Sequence, residues 1–128
     1  MSPRVLSLAL GAAGFVLFGL VLLAAPDTLA LVDIAPSTAT ARSDLRAIFG
    51  GLELGFGVWL ALATRRPAWH EPALLAQLLA LGGAVAGRLA SLALDGVPRP
   101  ITFALGGLEL AGALLAAGAL RWRGGARR

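Results

Sequence analysis

The sequence contains no cysteine and only one histidine, His70. Without thiolates the chain can form neither a disulfide framework nor a cysteine-ligated metal site. A single imidazole also excludes any metal or haem site that needs two histidines. We therefore expect no metal and no cofactor.

Charged residues are also scarce. They make up 14% of the 128 residues, whereas hydrophobic residues make up 58% and the mean hydropathy is +0.82. This is more apolar material than a soluble domain of this size can place in its core, so the composition predicts a membrane protein whose first partner is the lipid bilayer. At roughly 20 apolar residues per crossing, the length allows about four helices and little else.

The basic residues are all arginine, eleven in number, and the sequence pI is about 11.6. They lie mainly at the ends of apolar runs, as topology determinants do, and form no basic stripe interleaved with stacking aromatic residues. The sequence therefore predicts no nucleic-acid binding. Arginine without lysine, together with abundant Ala, Leu and Gly, indicates a GC-rich bacterial genome, and the expected location is the bacterial inner (plasma) membrane.

The apolar runs predict an all-α fold, an integral membrane four-helix bundle. Pro26, Pro67 and Asp95-Gly96 separate the runs and end or start the helices. Residues 1–128 are expected to form a single transmembrane domain, with helices at about 5–25, 45–64, 72–94 and 101–120. Short connections then make two helical hairpins.

The distribution of arginine between the connections predicts the orientation. One side receives Arg4, Arg65-Arg66 and the arginine-rich C terminus, whereas the other receives Arg42, Arg46 and Arg99. By the positive-inside rule both termini are cytoplasmic, an N-in/C-in topology. The long outer connection contains an apolar stretch at 29–32, for which a short interfacial helix and a plain loop are equally compatible with the sequence.

The pentapeptide Gly-Gly-Leu-Glu-Leu occurs at 50–54 and again at 106–110. Aligning Glu53 with Glu109 also aligns Arg65 with Arg121, so the match extends over a helix length. Both copies fall in the second helix of a hairpin, which predicts a weak parallel internal repeat.

The repeat places two carboxylates inside apolar helices, where an ionisable group is costly and is a functional candidate by default. Glu53 and Glu109 share a depth of roughly 12 Å from the outer helix ends, and Arg88 on the third helix lies at roughly 9–10 Å by the same rise per residue. We expect these three side chains to form a ligand-binding cluster. Glu53 and Glu109 are also the candidates for catalytic residues.

Three further polar residues extend the predicted ligand-binding site toward the outer mouth. Ser91 and Asp95 share the helix face of Arg88, and Arg46 lies where the second helix begins. Small residues flank each glutamate and either admit a ligand or let the helices approach closely. The cluster itself has two interpretations, because Arg88 could bridge both carboxylates for architecture alone, yet two carboxylates and one guanidinium leave one charge unbalanced.

The glycine pairs Gly51/Gly55 and Gly83/Gly87 have the spacing of close-packed transmembrane helix interfaces. They lie on faces away from the charged residues. They predict close packing within the chain or a homodimer through these glycine-rich faces.

Several spaced motifs carry a family resemblance. They are Ala25-Pro26, the run from Asp44-Leu45-Arg46-Ala47 to Phe49-Gly50-Gly51, the run from Gly87-Arg88-Leu89-Ala90-Ser91 to Asp95-Gly96, and Glu109-Leu110. In these the chain resembles the bacterial family called domain of unknown function 4345 (DUF4345), small four-helix membrane proteins related to the DoxX-like group. The resemblance covers nearly the whole chain and implies its fold and membrane location, but no activity. Glu53 departs from the family pattern, which commonly has an apolar or small residue there.

Three functions are compatible with the sequence. The first is binding or transport of a small amphipathic or anionic molecule at an outward-facing intramembrane polar site. The second is an intramembrane acid/base enzyme, of isomerase or cyclase type, acting on a lipid-like substrate through the two glutamates. The third is a structural accessory subunit of a membrane complex, and the sequence leaves open whether the protein is an enzyme.

Overall fold

The computed structural model describes residues 1–122, in which all regular secondary structure is helical. Five α-helices alternate with shorter helical pieces. The α-helices are α1 (Pro3–Ala24), α2 (Ala39–Leu45), α3 (Glu53–Ala63), α4 (His70–Leu94) and α5 (Pro100–Arg121). Between them lie two 3₁₀ segments, Pro26–Val32 and Pro67–Trp69, and one π-helical segment, Arg46–Leu52.

Four helical stretches are long and apolar enough to cross a membrane, and they fit a multi-pass membrane protein. They are Pro3–Ala24, Ala39–Ala63, Pro67–Leu94 and Pro100–Arg121. The second stretch joins α2, the π segment and α3 into one continuous helix. Large aliphatic side chains cover the outside of the bundle, among them Leu79, which is 66% exposed, and Leu108, which is 72% exposed. Such a surface is stable against lipid and unfavourable against water.

The helix ends follow local capping. The Ser2 side chain accepts a hydrogen bond from the Val5 backbone N–H at the start of α1, and Pro26 follows its last turn. Thr38 caps α2 in the same way, so the second helix begins at Ala39, six residues before the position predicted from hydropathy. The difference arises because the first turns of this helix are polar.

The bundle consists of two helix pairs connected through α1. Helix α1 packs along α3 and the π segment, α4 packs along α5, and α1 also contacts α4 and α5. Glycines allow the closest approach within the first pair: a Cβ on Gly19 would lie 2.6 Å from the Leu54 backbone nitrogen, and one on Gly57 would lie 2.7 Å from that of Val16. No side chain larger than hydrogen fits at either position without a shift of the backbone.

The core lies nearer the end of the bundle at which Arg4 donates a hydrogen bond to the Trp122 carbonyl oxygen, here called the terminal end. All four membrane-length stretches contribute to it. The core residues are Leu8, Ala12, Leu60, Ala63, Ala73, Leu74, Ala116 and Ala119. Small alanines in α3, α4 and α5 let the backbones approach closely here, as is common between helices in membranes.

The opposite end, here called the distal end, carries the 3₁₀ segment Pro26–Val32. Two exposed ion pairs lie here: Asp27 of the segment pairs with Arg42 of α2 at 3.3 Å, and Asp33, just after the segment, pairs with Arg99, just before α5, at 2.9 Å. Leu29, which belongs to the 3₁₀ segment, is buried. The apolar stretch at 29–32 is therefore part of a 3₁₀ helix, and Asp33 ends it in the left-handed region at φ 64°.

Candidate functional site

The central feature of the site is a two-bond ion pair between α4 and α5. The Arg88 Nε donates to the Glu109 Oε2 at 2.6 Å, and the Arg88 Nη2 donates to Oε1 at 2.7 Å. Both side chains are largely but not completely buried. The planar guanidinium matches the carboxylate edge to edge, which is the strongest geometry available to this type of pair. The pair thus connects the two helices of the second hairpin inside an apolar layer.

Gly106 gives the Arg88 side chain the space to reach its partner. A Cβ at this position would lie 3.2 Å from the Arg88 Cδ, closer than nearly all ordinary contacts of a Cβ. Gly106 precedes Glu109 by three residues and therefore lies on the same face of α5. The small residue expected beside Glu109 thus accommodates the stem of the arginine.

Glu53 lies near the pair but is not part of it. The residue is half-buried at the start of α3, on the first helix pair, whereas Arg88 and Glu109 belong to the second. Within residues 1–122 it forms neither an ion pair nor a side-chain hydrogen bond. The cluster therefore contains one neutralised pair and one additional carboxylate. Arg88 does not bridge the two glutamates symmetrically.

The glycines beside Glu53 are used for packing. Gly50 lies against Leu23 of α1, where a Cβ would be 2.7 Å from the Leu23 Cγ, and Gly57 lies against Val16. The sequence was compatible with two roles for these small residues, admitting a ligand or letting helices approach closely. In the structure they let α1 and the helix of Glu53 approach closely. They leave no room for a ligand on the α1 side of Glu53.

Arg46 begins the π-helical segment that leads directly to Glu53. Its Nε donates a hydrogen bond of 3.0 Å to the Leu23 carbonyl oxygen, at the last turn of α1. The wider π turn inserts an additional residue per turn, and such segments are frequent at functional sites. The structure therefore places Arg46 about 10 Å along the helix from Glu53, at the distal end rather than in the charged cluster. Sequence reasoning missed the π segment, since hydropathy carries no signal for it.

Ser91 and Asp95 bond to each other. The Ser91 hydroxyl donates to the Asp95 carboxylate at 2.7 Å, and both residues are exposed in the last turns of α4. They lie distal to Arg88 on the same helix. Neither makes a direct contact with Arg88 or Glu109 among the hydrogen bonds of the described residues.

A groove opens between α4 and α5 on the outer surface of the bundle, with Arg88 and Gly106 among its walls. Its volume is about 220 Å³. Most of its lining is aliphatic or aromatic: Val85, Leu89, Leu92, Pro98, Thr102, Phe103, Gly107 and Leu110 complete it. A larger and shallower depression of about 410 Å³ lies between α1 and α3, lined mainly by small and aliphatic residues and by Arg65. Of these two cavities, the groove between α4 and α5 reaches the Arg88–Glu109 pair and the depression does not.

A second polar contact, between α4 and α1, lies in the terminal half of the bundle. Gln77 of α4 is 1% exposed and Ser7 of α1 is 2% exposed. The Gln77 amide nitrogen lies 3.4 Å from the Ser7 carbonyl oxygen and 3.5 Å from its hydroxyl, both long contacts. The Gln77 amide also fills the space over Gly11, where a Cβ would be 2.7 Å away. Gln77 therefore joins the two helix pairs and is separate from the charged cluster.

The glycine pairs predicted to form interfaces face away from the rest of the chain. A Cβ on Gly55, Gly83 or Gly87 would meet no atom of the described residues within 4 Å, and one on Gly51 would meet only the Arg46 carbonyl oxygen at 3.7 Å. These glycines therefore do not serve packing within residues 1–122. Their proposed use between two copies stays a prediction.

A bundle of apolar helices with an internal arginine–glutamate pair fits the class of small multi-pass membrane proteins. The chain belongs to the family described as Domain of unknown function (DUF4345), whose family model matches residues 5–120. No curated protein matches the chain. No solved structure matches it either.

Proposed function

We propose that this protein binds or transports a small amphipathic molecule at the cluster of Arg88, Glu109 and Glu53. The observation that carries the proposal is the position of the Arg88–Glu109 pair, which is only partly buried and lies at the wall of an apolar groove. Ionisable residues inside membrane helices are expensive, and they commonly mark substrate or ligand paths. A purely architectural contact could be made more cheaply by apolar packing.

The charges of the cluster indicate how a polar group would be held. A guanidinium has five N–H donors, and Glu109 accepts only two bonds from Arg88. The remaining donors are available to an oxygen of the ligand. An anionic group would either share Arg88 in this way or displace Glu109, and the additional carboxylate of Glu53 opposes a second negative charge. A small polar head with an acceptor oxygen therefore fits better than a highly charged anion.

We further propose that the protein lies in the bacterial inner membrane with both termini in the cytoplasm. The arginine distribution supports this orientation, because Arg4, Arg65 and Arg66 lie at the terminal end. The chain has no cysteine, so single cysteines can be introduced without background labelling. In intact cells an impermeant thiol reagent should label Ser37→Cys at the distal end and spare Ala68→Cys. Labelling of Ala68→Cys but not of Ser37→Cys would indicate the opposite topology.

Acid/base catalysis is a second candidate, and one observation favours it. The two carboxylates have unequal surroundings, because Glu109 accepts both bonds of Arg88 and Glu53 has no cationic partner among residues 1–122. Pairs of acids in different environments are the arrangement that acid and base roles require. The substrate would then be lipid-like, since the cluster is reached from the apolar surface.

The ligand proposal is tested by identifying molecules that remain bound to the protein. Native mass spectrometry of protein released from membranes would compare the wild type with Arg88→Gln and with Arg99→Gln. Arg99 is the matched control because it also pairs with an aspartate, but on the exposed distal surface. Loss of a bound species in the Arg88 variant alone supports the proposal.

A further inference from the structure

The length, lining and volume of the groove between α4 and α5 indicate the class of ligand that it binds. Thr102 and Pro98 lie at its distal mouth, and Leu110 lies eight residues deeper than Thr102 on α5. At 1.5 Å per residue the groove is about 12 Å long. It runs from the distal end of the bundle toward its middle and is therefore parallel to the expected direction of lipid chains.

The walls of the groove face the surrounding membrane. Leu89 is 62% exposed and Phe103 is 52% exposed, and both belong to helices that are long and apolar enough to cross a bilayer. A molecule can enter sideways from the lipid without passing through water.

The volume of the groove limits the size of the occupant. About 220 Å³ is below the usual range of drug-sized ligand pockets. A groove of this size suits part of one hydrocarbon chain better than two chains side by side.

Among residues 1–122, Arg88 supplies the one charged group in the wall of the groove. Its guanidinium lies well inside the membrane-length part of α4, six residues before the end of that helix at Leu94. A bulky phosphate headgroup at this depth would have to leave the interface, whereas a carboxylate or hydroxyl is small enough to be held by the remaining N–H donors. Glu109 already neutralises the arginine, so a hydroxyl or protonated carboxyl head, which brings acceptor oxygens without a further charge, fits the donors that remain.

We propose that the groove binds one hydrocarbon chain of a single-chain amphiphile of the fatty-acid class. The polar head lies at Arg88 and the chain lies in the deeper half of the groove, against Leu89 and Leu110, with Phe103 on the distal side of the head. The ligand enters from the distal leaflet of the membrane. This inference rests on the proposed function and adds to it the chemistry of the ligand and its route of entry.

Two glycines of α5 provide a matched pair of variants for the test. A Cβ on Gly107, which lines the groove, or on Gly118, which does not, would meet no atom of the described residues within 4 Å. Gly107→Leu should therefore fill the groove without disturbing the helix, and Gly118→Leu makes the same change elsewhere. Binding of dodecanoate and of butyrate would be measured by native mass spectrometry from lipid nanodiscs. Phe103→Ala, which removes one wall, serves as the second groove variant.

The proposal expects saturable binding of one dodecanoate to the wild type and much weaker binding of butyrate. Gly107→Leu should weaken dodecanoate binding by about tenfold or more, the usual consequence of overfilling a packed site, and Gly118→Leu should leave it unchanged. Equal binding of dodecanoate by the two glycine variants would contradict binding in the groove, and so would binding of butyrate as tight as that of dodecanoate. Either result would leave a polar ligand site at Arg88 possible without the groove. Failure of the wild type to bind either probe would also contradict binding in the groove, and the wider ligand proposal would then be judged from the co-purified species.

Discussion

Arg88 of α4 donates one hydrogen bond to each carboxylate oxygen of Glu109 of α5, with donor–acceptor distances of 2.6 and 2.7 Å. Glu53, on the other helix pair, is left without a cation in the described part of the chain. The repeated pentapeptide therefore gives two glutamates with different surroundings. The difference between them leads to separate expectations for each residue.

Arg88 and Glu109 should contribute to stability as a coupled pair. Arg88→Gln or Glu109→Gln leaves a charge without its partner, and because the pair is partly exposed we expect a loss of about 1–2 kcal/mol for each. The double variant should lose less than the sum of the two. Thermal unfolding in nanodiscs measures this, and strictly additive losses would mean that the two side chains do not interact in the membrane.

Glu53→Gln should leave stability unchanged or increase it. An unpaired carboxylate within an apolar layer is unfavourable, and a neutral amide of the same shape removes that cost. The same unfolding measurement tests this, with Glu71→Gln, an exposed glutamate in the first turn of α4, as the control. A marked loss of stability would indicate that Glu53 has a partner, such as a bound cation or donor. If binding is lost while stability is kept, the residue acts on a ligand.

Close packing of α1 on α3 predicts unequal effects at two neighbouring glycines. A Cβ at Gly57 would lie 2.7 Å from the Val16 backbone nitrogen, so Gly57→Ala should destabilise the protein by about 1–3 kcal/mol. Gly55→Ala, where a Cβ meets no described atom within 4 Å, should be neutral or slightly stabilising because alanine favours helix. Equal melting temperatures for the two variants would contradict this packing of the first helix pair.

Much of the fold could be predicted from the sequence because proline, glycine and aspartate separate the apolar runs. Pro26 lies just after the helix that ends at Ala24, and Asp95-Gly96 follows the helix that ends at Leu94. The contact between Arg88 and Glu109 could also be anticipated, since helix rise places both at one depth. The π segment at 46–52 could not, because it depends on contacts with α1 such as the hydrogen bond from Arg46 to the Leu23 carbonyl.

The internal repeat shows how far an identical sequence can differ in structure. Residues 50–52 of the first copy are π-helical and Gly50 packs on Leu23, whereas the second copy is regular α-helix with Gly106 beside Arg88 and Gly107 at the groove. The environment of each copy comes from helices elsewhere in the chain. Periodicity alone therefore identified the glutamates but not which of them Arg88 would bind.

Gln77 and Gly11 should behave as a coupled pair. The Gln77 amide occupies the space into which a Gly11 side chain would grow, so Gly11→Ala should destabilise the bundle by about 1–3 kcal/mol. Gln77→Ala creates room and should recover part of that loss in the double variant. Gly14→Ala, on an open face of α1, is the control. A double variant no more stable than Gly11→Ala would contradict the contact.

The most direct test of the central claim is the mass of what remains bound to the protein when it is released from its own membrane. Wild type and Arg99→Gln should carry the same small amphipathic species, and the Arg88→Gln/Glu109→Gln double variant, which removes the pair without leaving either of its members unpaired, should lack it. If wild type and double variant carry the same molecules, or bulk phospholipid alone, the arginine–glutamate pair serves the architecture of the bundle and the ligand-binding account is contradicted.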